Sequence, residues 1–240
     1  MKKYFYKKTF RGEEPITVIN LLKNILKKTP IYPFLFRFKK AKIINNWKKM
    51  GKPIPPPHLI KQETVKEYAY KFSTEIFIET GTYHGAMILG TKKIFNQIYS
   101  IELDKDLYLK AKKLFRKYDN IHILQGDSSK VLPELLDKIK KPCLFWLDGH
   151  YSGGITAKGD LNTPIIIELK SIFSHKIKDH VILIDDARLF IGQEDYPAII
   201  TLKEFVMKNQ SDYLFEVKDD IIRIYKYIPN NISKDKFGEM

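Results

Sequence analysis

From residue 57 onward, short apolar runs alternate with stretches whose apolar residues recur at helical spacing. That alternation predicts an α/β domain with a mainly parallel sheet and crossover helices on both of its faces. Seven strands are expected, near Ile76 to Glu79, Ile98 to Glu102, Ile121 to Leu124, Cys143 to Asp148, Val181 to Asp185, Tyr213 to Val217 and Ile221 to Tyr227. Only Lys218, Asp219 and Asp220 separate the last two, too few for a crossover helix, so these strands form a hairpin and one of them runs antiparallel. The helix after Pro164, with Ile165, Ile166, Ile167, Leu169 and Ile172, is core and carries no chemistry.

The first 57 residues have another pattern. After Pro15, Val18, Ile19, Leu21, Leu22, Ile25 and Leu26 recur at helical spacing and end at Lys27, Lys28 and Pro30, where cations and a breaker suit a helix C-terminus. A second apolar stretch, Phe34 to Met50, carries six Lys and Arg and stops at the proline-rich run Pro53 to Pro57. The expected organisation is a basic helical N-terminal extension over 1–57, the α/β domain over 58–228 and a C-terminal tail over 229–240.

Charge sharpens this division. The chain's formal net charge of +14 invites a nucleic-acid reading, but residues 1 to 60 hold 15 Lys and Arg against Glu13 and Glu14, whereas residues 61 to 240 hold 27 against 26. The domain is nearly neutral, and attraction to a polyanion or an anionic membrane surface belongs to the extension. With 44% hydrophobic residues and only 12 Gly and 12 Pro in 240, the composition excludes a disordered or collagen-like chain. The lone Cys143 excludes an internal disulfide and fits a reducing cytoplasm. The basic start runs into charged residues, and no apolar stretch approaches the ~18 residues of a membrane span. The expectation is a cytoplasmic protein, peripheral at the inner membrane face if the extension is adhesive.

In such sheets ligands bind beyond the carboxyl ends of the strands. The first strand ends in Glu79-Thr80-Gly81-Thr82-Tyr83-His84-Gly85, where Gly81 and Gly85 allow a tight turn and close approach to a ligand. The second ends at Glu102, 23 residues after Glu79, the spacing at which a carboxylate accepts both hydroxyls of a ribose. The third ends in Gly126-Asp127-Ser128, which offers a second carboxylate to an adenine amino group. The set describes an adenosine pocket, and a nicotinamide reading fails because G-x-G-x-x-G spacing is missing.

Through ETGTYHG, YSIELD, LQGDSS, the LDG strand end and the terminal hairpin, residues 63 to 227 resemble the class I S-adenosylmethionine-dependent methyltransferases. The resemblance implies a Rossmann-like fold and roles for Gly81 and Gly85 around the methionine part of the cofactor, Glu102 on ribose and Asp127 on adenine. Glu79, Tyr83, Ser128 and Asp148 complete the expected cofactor contacts, with Tyr83 an aromatic wall where a common form of the loop has glycine.

The fourth and fifth strands end in Leu147-Asp148-Gly149-His150-Tyr151 and Leu183-Ile184-Asp185-Asp186. If these strands are neighbours, three carboxylates meet, and a divalent cation removes the cost of their repulsion. Hard oxygen ligands suit Mg²⁺ better than zinc. The pattern resembles metal-dependent O-methyltransferases, the catechol type and more closely the macrolide and aminocoumarin sugar type, which implies metal ligation by Asp148, Asp185 and Asp186. The general base of the sugar type falls at His150, an imidazole in place of an acid. Tyr151, Lys158 and Arg188 are candidates for the acceptor. The expected function is methyl transfer from S-adenosylmethionine to a hydroxyl of a sugar, glycan intermediate or other small molecule. A metal-free methyltransferase acting on RNA and a non-catalytic module docked to a membrane or polyanion are the alternatives.

Overall fold

The computed structural model describes residues 32–149 and 163–227. The expected helix around Val18 to Leu26, the tail, and His150, Tyr151 and Lys158 lie outside the described residues. The chain divides into two units, residues 1–46 and 47–240. Helix α1 (Tyr32–Lys49) covers the second apolar and basic stretch. None of the helices among the described residues is long and apolar enough to cross a membrane.

The second unit carries α2 (His58–Lys71), β1 (Ile76–Thr80), α3 (Ala86–Thr91), β2 (Gln97–Glu102), α4 (Lys105–Phe115), β3 (Ile121–Gln125), α5 (Ser128–Leu136) and β4 (Cys143–Leu147). It continues through α6 (Ile165–Ser174), β5 (Val181–Ile184), a 3₁₀ turn (Ala187–Leu189), α7 (Ile199–Asn209), β6 (Tyr213–Lys218) and β7 (Ile221–Lys226). All seven expected strands are present, and each boundary falls within a residue or two of its expected place. The sheet order is β3-β2-β1-β4-β5-β7-β6, with β3 to β5 parallel and β7 antiparallel to both neighbours. The hairpin closes through Asp219 and Asp220, both at positive φ (53° and 62°), the arrangement whose twist suits a two-residue loop.

The central strands read as continuous apolar runs because both faces are covered. On one face Phe77, Ile98, Leu144 and Trp146 pack with Val65 and Tyr68 of α2, Met87 and Ile88 of α3 and Phe115 of α4. On the other Ile78, Ile101, Phe145 and Leu147 pack with Leu132 of α5, Leu169 and Ile172 of α6 and Leu202 of α7. Single side chains alternate between these cores along each strand, which locks the register, since a one-residue slip would exchange the two sets.

A polar chain is buried near the start of β4. The Cys143 backbone N–H donates to His180 Nδ1 at 3.0 Å, so Nδ1 is unprotonated and Nε2 carries the hydrogen that meets His175 Nδ1 at 2.9 Å. Burial, with repulsion from His175 behind it, pushes His180 down to about 4. The unfolded imidazole takes up a proton near pH 6.5 and the folded one only near 4, so this pair costs stability as pH falls through that window, by roughly 3 kcal/mol at the lower end. Urea titrations at pH 7, 5.5 and 4 should show the loss. His180→Gln should flatten it, and an unchanged slope in that variant would assign the acid sensitivity elsewhere.

Candidate active site

The sheet order reverses between β1 and β4, which opens a crevice at the carboxyl ends of these strands. Hydrogen bonds continue past the strands and align their ends: Gly81 N to Ile101 O at 2.9 Å, Gly126 N to Glu102 O at 2.9 Å, Asp148 N to Thr80 O at 3.1 Å and Asp185 N to Leu147 O at 3.1 Å. This ladder brings Gly81, Glu102, Asp127, Asp148 and Asp185 to one edge of the sheet.

Gly81 has φ 87°, and a Cβ there would lie 2.4 Å from the Asp148 carbonyl oxygen. Gly85, at φ 70°, caps α3 against the Phe115 ring, 2.6 Å from where a Cβ would be. The loop between them is pinned to the second strand: Tyr83 N donates to Glu102 Oε2 at 2.7 Å, and Asp104 N donates to Glu102 Oε1 at 2.9 Å. Glu102 thus takes one backbone N–H on each oxygen, and each oxygen keeps a second lone pair. The Tyr83 side chain is exposed beside His84, with ring centroids 3.9 Å apart.

Glu79 sits differently from its expected place at the cofactor. It is buried and accepts from Ser100 Oγ at 2.6 Å, which in turn meets Thr82 Oγ1 at 2.6 Å. Burial, opposed by the Ser100 hydrogen bond and assisted by Glu102, pushes its carboxyl up to about 8, which favours the protonated form near neutral pH. Its influence on the site passes through the loop it supports. Asp127 caps α5, accepting from Ser129 N at 2.9 Å and Ser129 Oγ at 2.7 Å, which is the helix-capping role common for carboxylates at strand ends. Thr80 Oγ1 is buried and has no hydrogen-bond partner among the described residues. A Cβ on Gly149 would lie 3.1 Å from it and 3.4 Å from Ser128 Oγ, so both hydroxyls face the start of the segment after β4.

Strands β4 and β5 are neighbours, and Asp148, Asp185 and Asp186 each place an oxygen within 4.8 Å of the others. Their charges are not uncompensated, however. Lys61 of α2 reaches Asp185 Oδ2 at 2.5 Å and Asp186 Oδ1 at 3.2 Å. Burial alone would lower the ammonium's pKa, but attraction to Asp185, its hydrogen bond and the fields of Asp186 and Asp148 hold it above its ordinary value. Charge crowding by itself therefore does not demand a metal here. Asp186 stands at φ 53°, and its Oδ1 also accepts from Arg188 Nη1 at 2.8 Å. Arg188 donates from the same nitrogen to Asp220 Oδ2 and from its backbone to Asp220 Oδ1. The guanidinium expected to meet an acceptor anion is thus held in ion pairs within the fold.

Lys61, absent from the expected site, does carry a sequence signal: it precedes Thr64, Val65 and Tyr68 by three, four and seven residues, so it lies on the buried stripe of α2, where a cation needs a partner. Beside the acids lies a small pocket lined by Gly149, Thr163, Glu168, Asp185, Phe190 and Tyr196. Phe190 and Tyr196 meet edge to face with centroids 5.3 Å apart, and no spacing in the sequence marks either of them.

Neither a family model nor a curated protein matches the chain. Among solved structures it is similar to the SAH-bound methyltransferase PaMTH1 of Podospora anserina, with a TM-score of 0.52 and 16% identity over 92% of this chain and 100% of that one. It is also similar to the O-methyltransferase TomG of Streptomyces achromogenes, involved in tomaymycin synthesis and in complex with SAM (TM-score 0.51, 13% identity, 78% and 88% of the two chains). An O-methyltransferase of Bacillus cereus in complex with SAH aligns with a TM-score of 0.50 and 11% identity over 78% and 90%. At these identities the likeness is one of fold, and the chain has the Rossmann-like fold of the S-adenosylmethionine-dependent methyltransferases.

Proposed function

We propose that the protein is an S-adenosylmethionine-dependent O-methyltransferase acting on a hydroxyl of a sugar, glycan intermediate or other small molecule, with Mg²⁺ on Asp148, Asp185 and Asp186. One observation carries this reading: the glycine loop, Glu102 and Asp127 stand on one side of the switch between β1 and β4, and the three acids stand on the other. The neighbours that bind SAM or SAH and are named O-methyltransferases support it.

The residues fit the cofactor. Glu102 has acceptor positions left for ribose hydroxyls, and Thr80 Oγ1 is a buried hydroxyl with no partner among the described residues. The donor when bound supplies a sulfonium methyl with a good leaving group, so the chain's task is to align the acceptor oxygen and remove its proton. His150 takes that proton in this reading. The acid cluster fits a hard divalent ion in ligand type, which when bound would lower the pKa of an acceptor hydroxyl. Lys61 favours a second, metal-free version, in which its ammonium compensates the acids and alignment carries the transfer. The basic extension supplies the surface for an anionic membrane or polyanion in either version.

Calorimetry is expected to detect S-adenosylmethionine and its demethylated product. Glu102→Ala should weaken either by about 1 to 3 kcal/mol through loss of charge-assisted ribose bonds. Absence of binding to the wild type, with and without Mg²⁺, refutes the reading. A mixed pool of sugar nucleotides, lipid-linked glycans and RNA, scored by mass spectrometry, should place the new methyl on a sugar hydroxyl, whereas methylated RNA would select the alternative acceptor.

A further inference from the structure

We propose that Lys61 is a built-in counter-ion that competes with a divalent cation for Asp185 and Asp186 and thereby sets the metal affinity of the site. The inference rests on the reading of the three acids as metal ligands and adds a residue that governs them.

The geometry is specific. Asp185 Oδ1 accepts the Asp186 backbone N–H at 2.8 Å, so its outward oxygen is Oδ2, and that is the atom Lys61 holds at 2.5 Å. Asp186 Oδ1 takes Lys61 at 3.2 Å and Arg188 at 2.8 Å. A divalent cation held by Asp185 and Asp186 would draw on the same two carboxylates that the ammonium now contacts, and two positive charges that close would repel strongly. Lys61 is able to leave. Its side chain is 13% exposed at the edge of α2, on a flexible four-carbon stem whose ammonium is well hydrated in water. The acids are anchored, because Asp148 and Asp185 follow directly on strands buried in the sheet and Asp186 comes one residue later.

Two consequences separate this from a lysine that merely fills space. Removing the ammonium should raise divalent-cation affinity, because the ion no longer displaces a competitor. It should also take from Asp185 Oδ2 the ammonium that compensates it, so that in chelator folding stability falls and becomes dependent on metal.

Binding of Mn²⁺, followed by the electron paramagnetic resonance of the free ion, and thermal unfolding in EDTA and in Mn²⁺ test this on the full chain carrying Lys61→Met or Lys61→Gln. The expected result is Mn²⁺ affinity at least ten-fold tighter than wild type in both variants, with a lower melting temperature in EDTA that Mn²⁺ restores. Folding of the variants only when Mn²⁺ is present would support the same competition. Equal or weaker Mn²⁺ binding in the variants, with the wild type binding measurably, overturns the inference and leaves the metal site standing. Variants that fail to fold even with Mn²⁺ also overturn it, since Lys61 would then not be exchangeable. No Mn²⁺ binding by any of the three proteins removes the metal reading and the inference with it.

Discussion

Gly81→Ala should abolish S-adenosylmethionine binding and lower folding stability by about 2 to 4 kcal/mol, the sum of a left-handed backbone strain and a steric clash. The clash is with backbone, 2.4 Å from the Asp148 carbonyl oxygen and 2.9 Å from its carbon, so no rotamer can relieve it. Relief requires the loop to move away from β4, although Asp148 N is bonded to Thr80 O in the same seam. Such a movement would carry Tyr83 N from Glu102 and disturb the carboxylate expected to hold ribose. Gly51→Ala is the control: Gly51 has φ 79° but nothing within 4 Å of a Cβ, so it carries the backbone strain alone, about 1 kcal/mol. Calorimetry and urea unfolding of both variants separate the terms. Wild-type cofactor affinity in Gly81→Ala would show that the loop does not bind the cofactor through this approach.

The second large effect is expected at Asp185. Asp185→Asn keeps the shape but removes the nearer of the two carboxylates that hold Lys61, and the buried ammonium is left with Asp186 at 3.2 Å. The expected loss is about 2 to 4 kcal/mol, toward the lower part of the range for buried pairs because Lys61 retains a path to solvent. Turnover should fall by at least about 100-fold if the acids hold the metal that activates the hydroxyl, while cofactor affinity stays within about twofold, because adenosine is expected at the ends of β2 and β3. EDTA should likewise stop the wild type and Mg²⁺ restore it. Full turnover in chelator, together with an active Asp185→Asn, would select the metal-free version.

The two residues were legible to different degrees. Gly81 belongs to a local pattern, a strand followed by a glycine-bearing turn and a helix, and its neighbours in the sequence suffice to suggest a tight approach to a ligand. Asp185 was visible as a strand-end acid, and its meeting with Asp148 followed once β4 and β5 were adjacent. What the acids meet was not visible. Lys61 is 124 residues from Asp185 along the chain, and only the placement of α2 against the sheet brings them together. Arg188, read as a hand for an acceptor anion, is claimed by Asp220 from 32 residues away. Glu79, read as a cofactor contact, is turned inward to Ser100 on the next strand.

Strand positions, the closing hairpin and the row of carboxylates after the strands are all written in residues near one another, because burial on both faces of a sheet imposes an apolar run and a short connection imposes a hairpin. Folding decided the charge partners. Whether a carboxylate repels its neighbours, caps a helix, loses its charge or binds an ammonium depends on groups within a few ångströms and on exclusion of water, and neither is a property of sequence spacing. Asp127 as a cap, Glu79 as a buried acid bonded to Ser100 and Lys61 as the cation among three aspartates are therefore facts of the tertiary structure.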